Sequence, residues 1–93
     1  MTTRLEQVRE LLRSEDIEGL ISMGAPADEY DSEAEMVAER VQRAESVAWN
    51  GRLARDEVIA ILASVWKEMF DLSDRELAPR RDAFETIATR VAP

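Results

Sequence analysis

The sequence contains no cysteine and no histidine. A chain without them has no disulfide, no thiolate or imidazole ligand for zinc, and neither the Cys-His pair nor the Ser-His-Asp triad of hydrolases. Oxygen atoms are the only ligands left for a metal ion. The composition therefore favours a protein that is not an enzyme, and it implies no cofactor.

Long hydrophobic runs are also missing, since no apolar stretch approaches the roughly 20 residues that span a bilayer. The N-terminal segment is charged throughout and lacks the apolar centre of a signal peptide. We therefore expect a cytoplasmic protein with no membrane association.

Basic residues are few, with 12 Lys and Arg against 20 Asp and Glu and a net charge of -8. Nucleic acid is an improbable partner for this chain, because such binding depends on cations that neutralise phosphates. A basic protein is a better match to an acidic surface. Most of the negative excess lies in residues 25–48.

Alternating patterns of β-branched residues bounded by turns are absent, whereas apolar residues recur at helical spacing along most of the chain. A chain of 93 residues supports one hydrophobic core. The sequence therefore predicts a single domain over residues 1–93. Its expected fold class is all-α, a small bundle of four or five helices, approximately 3–22, 33–49, 55–71 and 79–91.

The first predicted helix has a clear start, and it either continues past Ser14 or bends or breaks there. Thr3 followed by Glu6 has the form of a capping box. Ser14 lies in a second cap-like context and favours a bend or break within the helix. Gly24 and Pro26 then predict a stop, because glycine accommodates a left-handed residue and proline cannot continue a helix.

The next helix is predicted to begin at another capping box, formed by Ser32 and Glu35, and to end at Asn50-Gly51. The following segment has the broadest apolar stripe and includes Trp66 and Phe70. We expect this third helix to be the central element of the bundle.

The C-terminal segment carries a further Ser-x-x-Glu box at Ser73 and Glu76, but Pro79 interrupts it. A short turn should therefore precede a final helix that begins at Pro79. Its inward side chains should be Phe84, Ile87, Ala88 and Val91.

The acidic stretch PADEYDSEAE contains four of the five candidate partner-binding residues. Helix-start chemistry explains its later acids but not Asp28, Glu29 and Asp31, which precede the predicted helix. We expect these three to steer a basic partner and Tyr30 to anchor it. Trp49, beside the next turn, is the fifth candidate contact.

Each candidate also has an alternative explanation. Tyr30 can bury its ring and pin the loop to the bundle through its hydroxyl, and Trp49 can cap the core. The acidic loop can be a solvated segment without a partner. It can also be neutralised by a second copy or by the arginines of the C-terminal quarter, Arg75, Arg80, Arg81 and Arg90.

Metal binding has two candidate patterns, both made of carboxylates. Asp28 and Glu39 fit the first and last positions of a calcium-binding loop, but Tyr30 stands at a ligand position and Glu33 stands where the loop needs glycine. The other pattern, typical of helical nucleotide pyrophosphohydrolases, pairs acids at helical spacing. Its candidate residues are Glu15 with Glu18 and Glu68 with Asp71.

Residues 17 to 70 resemble the YugE-like family of small helical bacterial proteins. The resemblance rests on GAPADEYDSEAEMVAERV and DEVIAILASVWKEMF, with IEGLISMG in place of the family's Trp-Asp-Pro opening. The matching residues are Gly24, Pro26, Asp28, Glu29, Tyr30, Asp31, Val65, Trp66 and Phe70. The resemblance implies a compact bundle of about four helices and no defined activity.

Three functions follow from these observations. The preferred one is a non-enzymatic interaction module for a basic protein, either a regulatory partner or an immunity-type partner of a secreted toxin. The first alternative is a self-associating structural module that forms a homodimer. The second alternative is a carboxylate-metal-dependent phosphohydrolase.

Overall fold

The computed structural model of this chain describes residues 3–92, all of them helical or in turns and connecting segments. Four helices longer than two turns form the bundle, and a single-turn helix with a 3₁₀ extension precedes the last of them. In order they are α1 (Arg4–Glu15), α2 (Asp31–Val47), α3 (Arg55–Phe70), α4 (Asp74–Leu77), a 3₁₀ helix (Ala78–Arg80) and α5 (Arg81–Val91). The predicted all-α bundle is confirmed.

α1 begins as predicted but is shorter than the expected range of 3–22. The Thr3 hydroxyl accepts a hydrogen bond from the Glu6 N–H at 3.1 Å. The helix ends at Glu15 because Asp16 adopts the left-handed conformation, with φ 44°. The Asp16 carboxylate then accepts hydrogen bonds from the N–H groups of Ile21 and Ser22, which holds the chain in a turn.

α2 begins at Asp31, earlier than the predicted range of 33–49, and ends at Val47. The predicted capping box at Ser32 is wrong, because Tyr30 is the N-cap residue and no side chain caps the helix. Asp31 and Glu33 place negative charge in the first turn. After the helix, Gly51 adopts φ 69° and turns the chain towards α3.

α3 is the central helix, as predicted, and its bounds agree with the expected 55–71 to within one residue. It packs against both α2 and α5, while α1 closes the bundle on the other side of that pair. Trp66 is fully buried and contacts three aromatic rings. The ring centroids of Tyr30, Phe70 and Phe84 lie 6.1, 5.4 and 5.8 Å from that of Trp66.

The C-terminal segment follows the prediction in outline. The Ser73 hydroxyl and the Glu76 carboxylate form the expected capping box, which starts the single turn α4. Pro79 lies in the 3₁₀ helix, so α5 itself begins at Arg81, two residues later than predicted. The four side chains expected to face inward, Phe84, Ile87, Ala88 and Val91, are all buried.

The helices of the described residues have at most 17 residues each. None of those within residues 3–92 has the length and apolar character that a membrane crossing requires.

Candidate protein-interaction surfaces

The five candidate partner-binding residues do not form one site. Asp28, Glu29, Tyr30 and Asp31 lie at the start of α2, whereas Trp49 follows its end. α2 has 17 residues, and at 1.5 Å per residue it separates the two groups by about 25 Å. The candidates therefore belong to two surfaces at opposite ends of one helix.

Tyr30 is buried, with 1% of its surface exposed, and cannot anchor a partner. Its hydroxyl donates to the Asp16 carboxylate at 2.7 Å and accepts from the Glu18 N–H at 3.1 Å. Burial, together with the hydrogen bond to Asp16, raises the pKa of Tyr30 to about 12. The prediction of Tyr30 as a partner contact is corrected here, because this side chain pins the loop of residues 16–30 to the core.

Asp31 is half-buried and faces α1. Its Oδ1 lies 3.4 Å from the Arg9 Nε and 3.5 Å from an Arg13 Nη. These two arginines already neutralise the carboxylate, so Asp31 contributes little to the field that a distant partner would sense. The neutralising cations come from α1 and not from the C-terminal arginines considered in the sequence.

Asp28 and Glu29 are the acids of the loop that remain exposed. Neither forms an ion pair with another residue in the described part of the chain. Met23, in the same loop, is also largely exposed. Asp28 and Glu29 are thus available to a partner, and they are what remains of the acidic surface expected at this end.

Glu33, expected to serve only as a helix-start acid, is buried with 7% of its surface exposed. Its Oε2 has no hydrogen-bond partner within residues 3–92. Desolvation raises the pKa of Glu33, and the charge of Glu29 adds to this effect. The sequence signal was its position four residues before Val37, on the apolar face of α2.

Glu18 forms the best-defined polar cluster of the molecule. Its two carboxylate oxygens accept hydrogen bonds from the Arg80 Nε at 2.5 Å and from an Arg80 Nη at 2.8 Å. The Trp66 indole N–H donates to the same carboxylate at 2.8 Å. The Arg80 guanidinium, helped by the indole N–H, lowers the pKa of Glu18 despite partial burial. Sequence reasoning missed this cluster because its members lie far apart along the chain.

The acidic pairs considered as metal ligands are not assembled into a site. Glu18 is occupied by Arg80, and the Glu68 carboxylate is paired with Arg40 at 2.6 Å. Among the described residues, no group of three or more acidic side chains is arranged to hold a metal ion. The phosphohydrolase alternative therefore gains no support from the geometry of these pairs.

Trp49 is 95% exposed and Val47 is 82% exposed. The expectation that Trp49 caps the core is wrong, because α2 ends at Val47 and the turn directs Trp49 into solvent. Trp49 borders a shallow groove of about 700 Å³ that also includes Leu53. A large aromatic side chain with almost no intramolecular packing is typical of a protein contact.

Comparison of the chain with family models, curated protein sequences and solved structures finds no match in any of the three. The fold and the two surfaces define a small acidic helical bundle with candidate interaction surfaces.

Proposed function

We propose that this protein is a non-enzymatic interaction module that binds a basic protein, with Trp49 as the central contact. The 95% exposure of Trp49 is the observation that supports the proposal most strongly. Tryptophan is enriched among the residues that dominate binding energy, because burying it removes a large apolar area from water. Val47, beside it, enlarges the apolar area available to a partner.

The exposed face of α2 connects the Trp49 end to the acidic loop. Its residues recur at intervals of three or four and are exposed along the whole helix. They are Ser32, Glu35, Glu39, Gln42, Arg43 and Ser46. A standard interface buries about 800 Å² on each partner, an area roughly 30 Å across. One partner can therefore cover this face and reach both Trp49 and Asp28-Glu29.

The two ends would contribute differently to binding. Asp28 and Glu29 are exposed charges, and such charges mainly increase the rate of association with an oppositely charged partner. Trp49 would be buried in the complex and would therefore slow dissociation. A basic partner follows from the net charge of -8 and from the two acids that no described cation neutralises.

The test begins with capture of a partner on the immobilised full chain, from extract at low salt with a high-salt control. Binding kinetics are then measured with the purified partner. Trp49→Ala should weaken binding by about thirtyfold, equivalent to roughly 2 kcal/mol, through faster dissociation. The matched control is Met69→Ala, which shortens another exposed apolar side chain, on α3.

The charge contribution is tested with the double variant Asp28→Asn, Glu29→Gln. It should slow association several-fold at low ionic strength and have almost no effect at high salt. The double variant Asp56→Asn, Asp82→Asn, which removes two exposed acids from the first turns of α3 and α5, is the control for the loss of charge alone. Equal association rates for these variants would remove the acidic loop from the proposal.

The exposed Val47 and Trp49 also support a second candidate, self-association through the same patch. Two copies would bury both apolar residues, although each copy carries a charge of -8. Sedimentation velocity over a wide concentration range separates the candidates. A constant monomer mass excludes the homodimer, whereas a dimer that Trp49→Ala dissociates would replace the basic partner with a second copy.

A further inference from the structure

A cavity of about 330 Å³ lies at the end of the bundle where α2 and α5 finish and α1 and α3 begin. Its volume is at the lower end of the range for small-molecule sites. The residues around it are Arg4, Val41, Glu45, Arg52, Leu53, Val58, Val91 and Ala92. This cavity adjoins the Trp49 groove and shares Arg52 and Leu53 with it, but Trp49 itself does not line the cavity.

The floor of the cavity is apolar. The accessible apolar surface comes from Leu53 and Ala92, which are half-buried, and from the edge of Val91, whereas Val41 and Val58 are fully buried beneath it. Such a surface favours an aliphatic group, which gains by leaving water. The ligand that suits this floor therefore has a hydrocarbon portion of modest length.

The rim of the cavity carries more positive than negative charge. Arg4 pairs with Glu45 at 2.7 Å and also donates to the Gln7 side chain at 2.6 Å, which fixes its guanidinium in place. Arg52 is exposed and forms no ion pair with any residue in the range 3–92. Two guanidinium groups thus face one carboxylate, in a protein whose overall charge is -8.

From the apolar floor and the cationic rim we infer that this cavity binds a small amphipathic carboxylate. The aliphatic portion lies against Leu53, Val91 and Ala92, and the carboxylate faces Arg52 and Arg4. Guanidinium groups are well suited to this role because they present paired N–H donors to both carboxylate oxygens. A cationic head group would meet repulsion, and a neutral one would gain no ion pair.

The cavity adjoins a second cleft at the same ion pair. Arg4 and Glu45 also border a wide polar cleft of about 870 Å³ between α1 and α2. A carboxylate that arrives from this cleft meets Arg4 first and competes with Glu45 for its donors. The charge of Glu45 therefore limits affinity, and replacing it should strengthen binding.

The experiment uses octanoate as the probe, with octylamine and octanol as controls of equal chain length. Ligands of this size reach millimolar affinity in a preformed site. Methyl NMR spectra of the full chain are recorded during each titration. Saturable shifts of the Leu53, Val91 and Ala92 methyl groups should occur with octanoate and be weaker by about fivefold or more with octanol and octylamine.

Charge variants identify the contribution of the rim. Arg52→Gln should weaken octanoate binding about fivefold, the effect of one partly exposed ion pair. Arg55→Gln, which removes the same charge from an exposed residue that does not line the cavity, should leave binding unchanged. Glu45→Gln should strengthen binding by a similar factor.

Several results would overturn the inference. They are equal binding of octylamine and octanoate, shifts that do not include Leu53, Val91 and Ala92, and equal effects of Arg52→Gln and Arg55→Gln. Trp49→Ala separates the cavity from the protein-binding surface, because octanoate binding should survive it. Octanoate shifts that disappear in Trp49→Ala would mean adventitious binding to the exposed patch.

Discussion

Replacing Tyr30 with phenylalanine removes one oxygen atom and tests what holds the acidic loop in place. That oxygen donates to Asp16 and accepts from the N–H groups of Glu18 and Leu20. The aromatic ring remains, and its stacking on Trp66 should be unaffected. The substitution therefore isolates the contribution of the hydroxyl group.

The magnitude follows from the three contacts of the hydroxyl. The bond to the charged Asp16 carboxylate is short, at 2.7 Å, and bonds to charged groups contribute about 1.5–3 kcal/mol. The two backbone bonds are longer, at 3.1 and 3.4 Å, and water can partly replace them in this half-exposed loop. We expect Tyr30→Phe to lower the free energy of unfolding by about 2 kcal/mol and Tm by roughly 10 °C.

Denaturant unfolding followed by circular dichroism measures the total loss, and hydrogen exchange locates it. The amides of residues 16–30 should exchange faster in Tyr30→Phe, because the loop loses its attachment to the core. Thr86→Val is the matched control, since it removes an exposed hydroxyl that donates only to a carbonyl of its own helix. Equal losses in the two variants would refute the assignment of Tyr30 as the residue that pins the loop.

The same hydroxyl predicts a loss of stability in alkali. The pKa of Tyr30 is about 12 in the folded protein and 10.0 as the ordinary value. The folded state therefore holds this proton more tightly than the unfolded chain does. The contribution is fully present below pH 10.0 and is lost as the pH rises towards about 12. Tyr30→Phe should remove this part of the alkaline transition.

Three further substitutions test the remaining polar and apolar features. Glu33→Gln should raise the free energy of unfolding by about 1 kcal/mol at neutral pH, because it removes a buried charge. Since burial raises the pKa of Glu33, wild-type stability falls as the pH rises above the ordinary value of 4.5, and the advantage of the variant should disappear in acid. Arg80→Gln should cost about 2 kcal/mol at neutral pH, because it leaves the half-buried Glu18 without its cation. Because the pKa of Glu18 is lowered, this stabilisation is present above the ordinary pKa of 4.5 and is lost as the pH falls through the pKa of the folded state. A stability loss in Arg80→Gln that persists in strong acid would contradict the assignment. Trp49→Ala should change stability by less than about 0.5 kcal/mol in urea unfolding, and a larger loss would mean that the indole packs on the bundle.

Local sequence signals predicted the parts of the fold that depend on local interactions. The bounds of α3 agree to within one residue, because a broad apolar stripe and acids in the first turn coincide there. The Ser73-Glu76 box forms because both partners lie within one turn. The same box at Ser32 does not form, because burial of Tyr30 places the start of α2 two residues earlier.

The candidate site was harder to predict, since its accessibility depends on contacts between distant parts of the chain. The four consecutive residues Asp28 to Asp31 share one sequence context but have three different environments. Tyr30 is buried against α3, Asp31 is paired with α1, and the other two face solvent. The helix that packs against each residue determines its environment, and a single sequence does not reveal which helix that is.

The contacts that stabilise the fold and the residues available for binding occupy separate parts of the molecule. Tyr30 and the Glu18 cluster attach the loop to the core through part-buried hydrogen bonds. Trp49 makes no comparable contact, so its exposure is not required by the packing of the bundle. An exposed tryptophan favours aggregation unless it has another role. Because removing Trp49 should spare the fold, any loss of binding in Trp49→Ala can be assigned to the interface itself.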